Sequence, residues 1–267
     1  MKTKFFYLII FSILTISTPS LAFKNINDAV NNKARPDADI VKDINRKPAQ
    51  VLKFLDLKPG MTVLDIYSTE GYYTEILSYA VGDKGKVLAH NSKMYRKFYG
   101  KAISERYVGG RLSNVERIYA HPREIELKEN QLDMVLMALI YHDLYVTNAR
   151  NLIKPADRHN LLSEIYKSLK PGGVLGVVDH VAPRGSGIDA ATTWHRLSAT
   201  IVTKELKEFG FEFIDEDTSL RNRTDPHDIS IFDKSVRRKT DRYILKFRKP
   251  FTKTASMTDA KPNSKAN

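Results

Sequence analysis

The 267-residue chain has no cysteine, which excludes disulfides, thiolate catalysis and cysteine-bound zinc. Acidic residues are scarce beside basic ones, 31 against 43, and the formal charge is +12. No apolar run is long enough to span a bilayer comfortably. The longest, Phe5 to Ile16, is interrupted by Ser12 and Thr15. No Gly-x-Gly-x-x-Gly follows a strand pattern, so a dinucleotide fingerprint is missing. There is no internal repeat and no interleaved aromatic-basic motif of an RNA-binding module, so a nucleic-acid partner is not expected.

The first 22 residues read as a signal peptide. Lys2 and Lys4 precede the apolar run, and Pro19 and Ser20-Leu21-Ala22 follow it as a small-residue cleavage pattern. The expected address is periplasmic or secreted, with no transmembrane segment after cleavage. Loss of the two lysines takes the charge from +12 to about +10. That balance favours anionic neighbours, phosphate-rich lipid, nucleic acid or an acidic substrate, of which nucleic acid is disfavoured by the missing motif. Residues 23–37 are polar and are expected as a flexible lead-in. The tail 251–267, rich in Ser, Thr, Lys and Asn, is expected to be disordered.

Between these ends strand and helix patterns alternate. Strands are expected at Met61–Tyr67, Lys86–His90, Val115–Ala120, Leu132–Tyr141 and Val174–Val178, with two closing strands at Phe211–Ile214 and Tyr243–Phe247. Helices are expected from Pro48, over Tyr72–Ala80, from about Tyr95, over Asp157–Leu169, and over Lys204–Phe209 capped by Thr203 and stopped by Gly210. The alternation predicts one α/β domain over 38–250. It should be a Rossmann-like three-layer sandwich whose seven-stranded, mostly parallel sheet has an antiparallel edge strand and places the Leu132 strand between the Val63 and Val174 strands.

Three stretches carry a family resemblance: Val63-Leu-Asp-Ile-Tyr-Ser-Thr-Glu-Gly71, Leu169-Lys-Pro-Gly-Gly-Val174 and Thr203-Lys-Glu-Leu-Lys-Glu-Phe-Gly-Phe211. They resemble class I S-adenosylmethionine-dependent methyltransferases. Gly71-Tyr-Tyr-Thr74, Tyr141-His-Asp143, Val178-Asp-His180 and Lys239-Thr-Asp-Arg-Tyr243 resemble a bacterial group of predicted, often exported, methyltransferases. The resemblance implies S-adenosylmethionine as cofactor, lying against the first loop. Asp65, Tyr67, Thr69, Gly71, Asn91 and Tyr141 occupy the corresponding positions. The family's first loop carries an acidic residue and then glycines at three alternate positions, whereas this chain has Tyr67, Thr69 and Gly71 there. Asn91 stands near the end of the second strand, where an acidic ribose-binding residue is common.

In an open α/β sheet, ligands sit outside the carboxyl ends of the strands. Tyr141-His142-Asp143 and Asp179-His180 fall there on neighbouring strands. A His paired with a carboxylate is the residue set of a general base, so His142, Asp143, Asp179 and His180 are the candidate catalytic residues. Each also has an ordinary structural role open to it, as a satisfied histidine or a loop-capping aspartate. The same four residues suit a divalent ion, although adjacent strand residues face opposite ways, and no metal is assigned. His195 follows the Pro183-Arg-Gly-Ser-Gly187 loop, a candidate cover for substrate, with Trp194 as wall or anchor. The expected function is methyl transfer to a small or envelope-associated molecule. The competing reading is a non-catalytic binding protein of the same fold with a decayed glycine loop.

Overall fold

The structure, a computed structural model, describes residues 25–148 and 151–251. The expected signal peptide and nearly all of the tail lie outside the described residues. Among the described residues no helix is long and apolar enough to cross a membrane.

The sheet is built from β1 (Thr62–Ile66), β2 (Lys86–Asn91), β3 (Val115–Tyr119), β4 (Leu132–Ala138), β7 (Leu169–His180), β8 (Glu212–Asp217) and β9 (Arg242–Arg248), and β5 (Thr147–Asn148) and β6 (Asn151–Leu152) form a separate minimal hairpin. Its order is β3-β2-β1-β4-β7-β9-β8, with β4 between β1 and β7 as expected. The ladders among β1, β2, β3, β4 and β7 are parallel. Both ladders of β9 are antiparallel, so the reversed strand sits one place in from the edge. That reversal puts the start of β9 beside the carboxyl end of β7, with His180 opposite Arg242.

The central strands are apolar because both faces are covered. Along β4, Met134 and Leu136 pack toward α3 (Pro48–Phe54) and α4 (Tyr72–Val81). Val135 and Met137 pack toward α6 (Pro155–Ser168) and α8 (Ala199–Glu208). Alternation along one strand thus feeds two cores. In α6, Pro155 stands at the first helical position, and Asp157 accepts the Lys154 N–H at 3.0 Å, which satisfies a free amide at the helix start. Leu161, Leu162 and Ile165 bury its inner face, a contribution of roughly 1.5–3 kcal/mol each by area.

Two expectations change. The lead-in is not loose from residue 26 onward. Ile26–Val30 forms α1, capped by Asn25, with Ala29 buried in the core cluster that includes α3 and α4; then α2 spans Asp37–Arg46. A single buried alanine face is a weak signal within a polar stretch. The last helix starts before Thr203. Ser198 is its cap, accepting the Thr200 N–H at 3.2 Å. The earlier start brings Val202 onto the buried face with Leu206, one turn apart. Gly210, at φ 94°, stops it as expected.

Candidate functional site

A cleft of about 790 Å³ opens across the carboxyl ends of β1, β4 and β7. One wall comes from α2, with Lys42, Asn45 and Arg46, and another from α5 (Lys93–Arg106), with Met94, Tyr95, Phe98 and Tyr99. Thr69, Glu70, Leu139 and Ile140 belong to the strand ends, and residues 231–240 close the far side. The Pro183–Gly187 loop contributes nothing to this lining. Trp194 is half-buried outside it, its carbonyl accepting the Ile231 N–H at 3.2 Å.

The chain bends after β4. Leu139 takes φ 62° and His142–Leu144 forms a single 3-10 turn, so His142 and Asp143 both face the cleft although adjacent. His142 N–H donates to Asp179 Oδ2 at 2.7 Å, and its Nδ1 meets Asp179 Oδ1 at 2.8 Å. Its Nε2 lies 3.3 Å from Asp143 Oδ1. Burial alone would lower the His142 pKa, but Asp179 and then Asp143 overcome it and raise it to about 10. His142 is therefore an imidazolium at neutral pH, held between two carboxylates. Asp143 also accepts Tyr95 Oη–H at 2.9 Å and lies 3.5 Å from His195 Nδ1. Burial would raise its carboxyl, but the charge of His142 holds it well below the usual range.

His180 behaves in the opposite way. It is buried, its Nδ1 lies 2.7 Å from Thr240 Oγ1, and it lines the cleft. Burial, then His142, Arg242 and Arg196, push its pKa well below the ordinary value, so it is neutral. The two neighbouring imidazoles, 5.5 Å apart between ring centres, thus hold opposite protonation states. His142, Asp143 and His195 offer ligand atoms within 4.8 Å of one another, a trio that differs from the four residues expected by replacing Asp179 and His180 with His195. As an imidazolium, His142 already has a carboxylate on each nitrogen.

The His142 assignment has a pH consequence. Its folded pKa of about 10 lies above the ordinary 6.5. The stability it contributes is fully present below 6.5 and lost as pH rises through 10. The melting temperature should fall between pH 7 and pH 10, and His142→Gln should flatten that fall, as read by calorimetric scans across the range.

The expected cofactor residues are dispersed. Thr69 lines the cleft. Asp65 lies beneath it, accepting Thr74 Oγ1–H at 2.6 Å, and burial raises its carboxyl to about 7 against the lowering by Thr74. Asn91 is spent on the loop: its Oδ1 accepts Thr69 N–H at 2.9 Å and its Nδ2 donates to Ser68 Oγ and Thr69 O. Tyr67 is buried against His90 and Tyr95, with ring centres 5.0 Å apart in each pair. Gly71 opens α4 beneath Arg106. Tyr141 points into the core, donating to Glu205 Oε2 at 2.6 Å. None of these last five lines the cleft. Charge and packing explain this: a polar residue at a strand end can turn either way, and spacing does not say which.

The loop nevertheless holds the backbone that glycines would take. Tyr67, Thr69 and Gly71 have φ of 51°, 50° and 84°. The first two are side-chain-bearing residues in the left-handed region, at a cost of about 1–2 kcal/mol each. Thr69, Leu139, His195 and Arg238 all have positive φ and all line the cleft. Strained backbone of this kind concentrates at functional sites.

The sheet order and the single reversed strand decide the architecture. The chain has the fold of class I S-adenosylmethionine-dependent methyltransferases. A SAM-dependent methyltransferase from Aquifex aeolicus superposes with a TM-score of 0.55 at 23% identity, covering 80% of this chain and all of that one. The cyclase SpnF superposes at 0.52 with 20% identity, covering 80% of this chain and 82% of that one. Residues 41–102 match the family Protein-L-isoaspartate(D-aspartate) O-methyltransferase. Among curated relatives, the ubiquinone/menaquinone biosynthesis C-methyltransferase of Shewanella oneidensis is 30% identical over 128 residues, 48% of this chain and 45% of that protein. The demethylmenaquinone methyltransferase of Bacillus cereus is 27% identical over 124 residues, 46% of each. The chain thus spans about half the length of the curated relatives it matches.

Motif and spacing do not place Arg242 or the segment 231–240 at the site. The signal was the basic run Lys234–Arg242 just before a strand, but only the reversal of β9 brings it to the cleft.

Proposed function

We propose that the protein is an S-adenosylmethionine-dependent methyltransferase acting on a small molecule in this cleft. The observation that carries the reading is the left-handed backbone of Tyr67, Thr69 and Gly71, which keeps the loop shape despite the two missing glycines. The residues fit the cofactor. Thr69 and Glu70 edge the loop side, Glu70 offers a carboxylate to an ammonium group, and Tyr95, Phe98 and Tyr99 offer aromatic surface to a flat base. When bound, the cofactor supplies an electrophilic methyl group for in-line displacement.

His180 is the base. In the tautomer whose Nδ1–H donates to Thr240 Oγ1, 2.7 Å away, its Nε2 carries the lone pair and accepts the acceptor atom's proton. His142 is a positioning residue. As an imidazolium it fixes Asp143, which in turn orients Tyr95 and His195 on the cleft wall. The relatives named for ubiquinone/menaquinone biosynthesis and for demethylmenaquinone methylation support a small-molecule acceptor. The reading of residues 1–22 as an export signal supports an envelope location.

The test is calorimetry with S-adenosylhomocysteine. Saturable binding is expected for the purified protein and is retained in Thr69→Gly, since that backbone already lies where glycine lies. No binding by the natural chain, with clear binding by a Tyr67→Gly, Thr69→Gly double variant, would overturn the reading. The packing of Tyr67 on Tyr95 would then define a binding protein with a closed cofactor site.

A further inference from the structure

Four arginines are almost fully buried among the described residues: Arg35, Arg106, Arg196 and Arg242. Three meet carboxylates. Arg35 pairs with Asp43 at 2.7 Å, Arg106 with Asp39 at 2.8 Å and Arg196 with Asp225 at 2.8 Å. Arg242, only 5% exposed, has no carboxylate within salt-bridge distance among the described residues. Its side chain donates to the carbonyls of Thr240, at 3.3 Å, and Asn45. A buried cation ordinarily has a counter-charge, because removing it from water is costly. Arg242 lines the cleft instead of facing a protein acid. Burial holds its pKa below the ordinary arginine value; Tyr73 opposes this, the like charge of Arg46 adds to it, and the neighbouring Asp241, outside salt-bridge distance, opposes it only in part.

Four more cations line the same cleft without a carboxylate partner among the described residues: Arg46, Arg237, Arg238 and Lys239. Arg46 stacks over Tyr72, 4.3 Å from its centre, which fixes its direction. Of the two acids of the cleft, Asp143 is engaged by His142, and Glu70, 3.5 Å from Lys42, stands on the loop side assigned to the cofactor. The lining therefore carries a concentrated positive field. Beside it lie apolar side chains in contact with solvent, Val41 at 70%, Phe98 at 67% and Phe232 at 58% exposure. A cationic pocket next to an uncovered apolar rim is complementary to a molecule with the same two parts.

We propose that the cleft binds an amphiphilic anion, an apolar molecule bearing one carboxylate or phosphate, with the charged group on Arg242 and Arg46 and the apolar part against Phe98 and Phe232. The inference rests on the reading of this cleft as the methyl-acceptor site and supplies the acceptor's chemical class. It also adds to the chemistry. An anion at Arg242 lies beside His180, across the β7–β9 ladder. It offsets the positive field that depresses His180 and makes the imidazole a better proton acceptor.

The experiment titrates the purified protein with octyl phosphate and, separately, octanol, by calorimetry. Octyl phosphate should bind saturably and at least about tenfold more tightly than octanol, since one charge-assisted contact is worth that factor. Arg242→Gln should lose about tenfold or more toward octyl phosphate and little toward octanol. Arg46→Gln, at a half-buried position, should show the same selective loss and serves if Arg242→Gln does not fold. Equal affinity for the two probes, or an unchanged preference in a folded variant, overturns the proposal. Flotation with phosphatidylglycerol vesicles, competed by octyl phosphate, assigns the anion to a lipid headgroup. No flotation assigns it to a soluble molecule. S-adenosylhomocysteine titrated on the same sample separates the two readings. Octyl phosphate binding without it overturns methyl transfer alone, and the converse overturns the anion site alone.

Discussion

Arg196→Met should lower stability by about 3–5 kcal/mol, the cost of leaving a buried charge without its partner. Arg196 is fully buried and holds four acceptors. Its Nε donates to Ile229 O at 3.0 Å and its Nη1 to Val181 O at 3.0 Å, and the guanidinium grips both oxygens of Asp225 at 2.8 and 2.9 Å. Asp225 in turn accepts the Asp241 N–H at 2.6 Å. One side chain thus ties the end of β7 to the segment that closes the cleft. For a domain of this size the loss is a drop of roughly 10 °C or more in melting temperature. Asp225→Leu alone should be as damaging. The Arg196→Met, Asp225→Leu pair should recover part of the loss, because neither charge is then stranded. A single-variant shift under about 2 °C in a thermal melt would show that the bridge does not anchor this wall.

Gly71→Ala should cost about 2–3 kcal/mol, from two sources that add. The position has φ 84°, where a side chain costs about 1–2 kcal/mol. A Cβ there would also stand 2.6 Å from Arg106 Cδ, a contact that requires movement. Arg106 cannot yield cheaply. It is held by Asp39 at 2.8 Å and Glu75 at 2.5 Å, and its Nε donates to Glu70 O. Denaturant melts measure the effect, and unchanged stability would mean that α2 and α5 are free to shift together. Thr69, two residues away, already carries a side chain at φ 50°, turned to the cleft. The structure separates the glycine that is required from the one that is dispensable.

That separation shows what was legible beforehand. The apolar runs of β1, β4 and β7, the Leu161-Leu162-Ile165 face and the stop at Gly210 followed from periodicity and turn chemistry, which act over a few residues. From these came the layers, the strand order and the nearness of His142 to Asp179. Parallel strands joined by helices leave few ways to pack, so local pattern was enough. The roles of the polar residues did not follow. Asp65, Asn91 and Tyr141 lie at the expected strand ends, yet each turns to a protein partner, Thr74, Thr69 or Glu205.

The sequence by itself determined the fold class, the end of the sheet that carries the cleft and the residue types gathered there. Only the tertiary structure decided which histidine is charged, because that depends on Asp143 and Asp179 reaching the same ring while Arg196 and Arg242 crowd its neighbour. Only it brought Arg242 to His180, across 62 residues of chain. Hydrophobic patterning is local and additive along the chain. Charge interactions depend on distance through space and on burial, which exist only once the chain has folded.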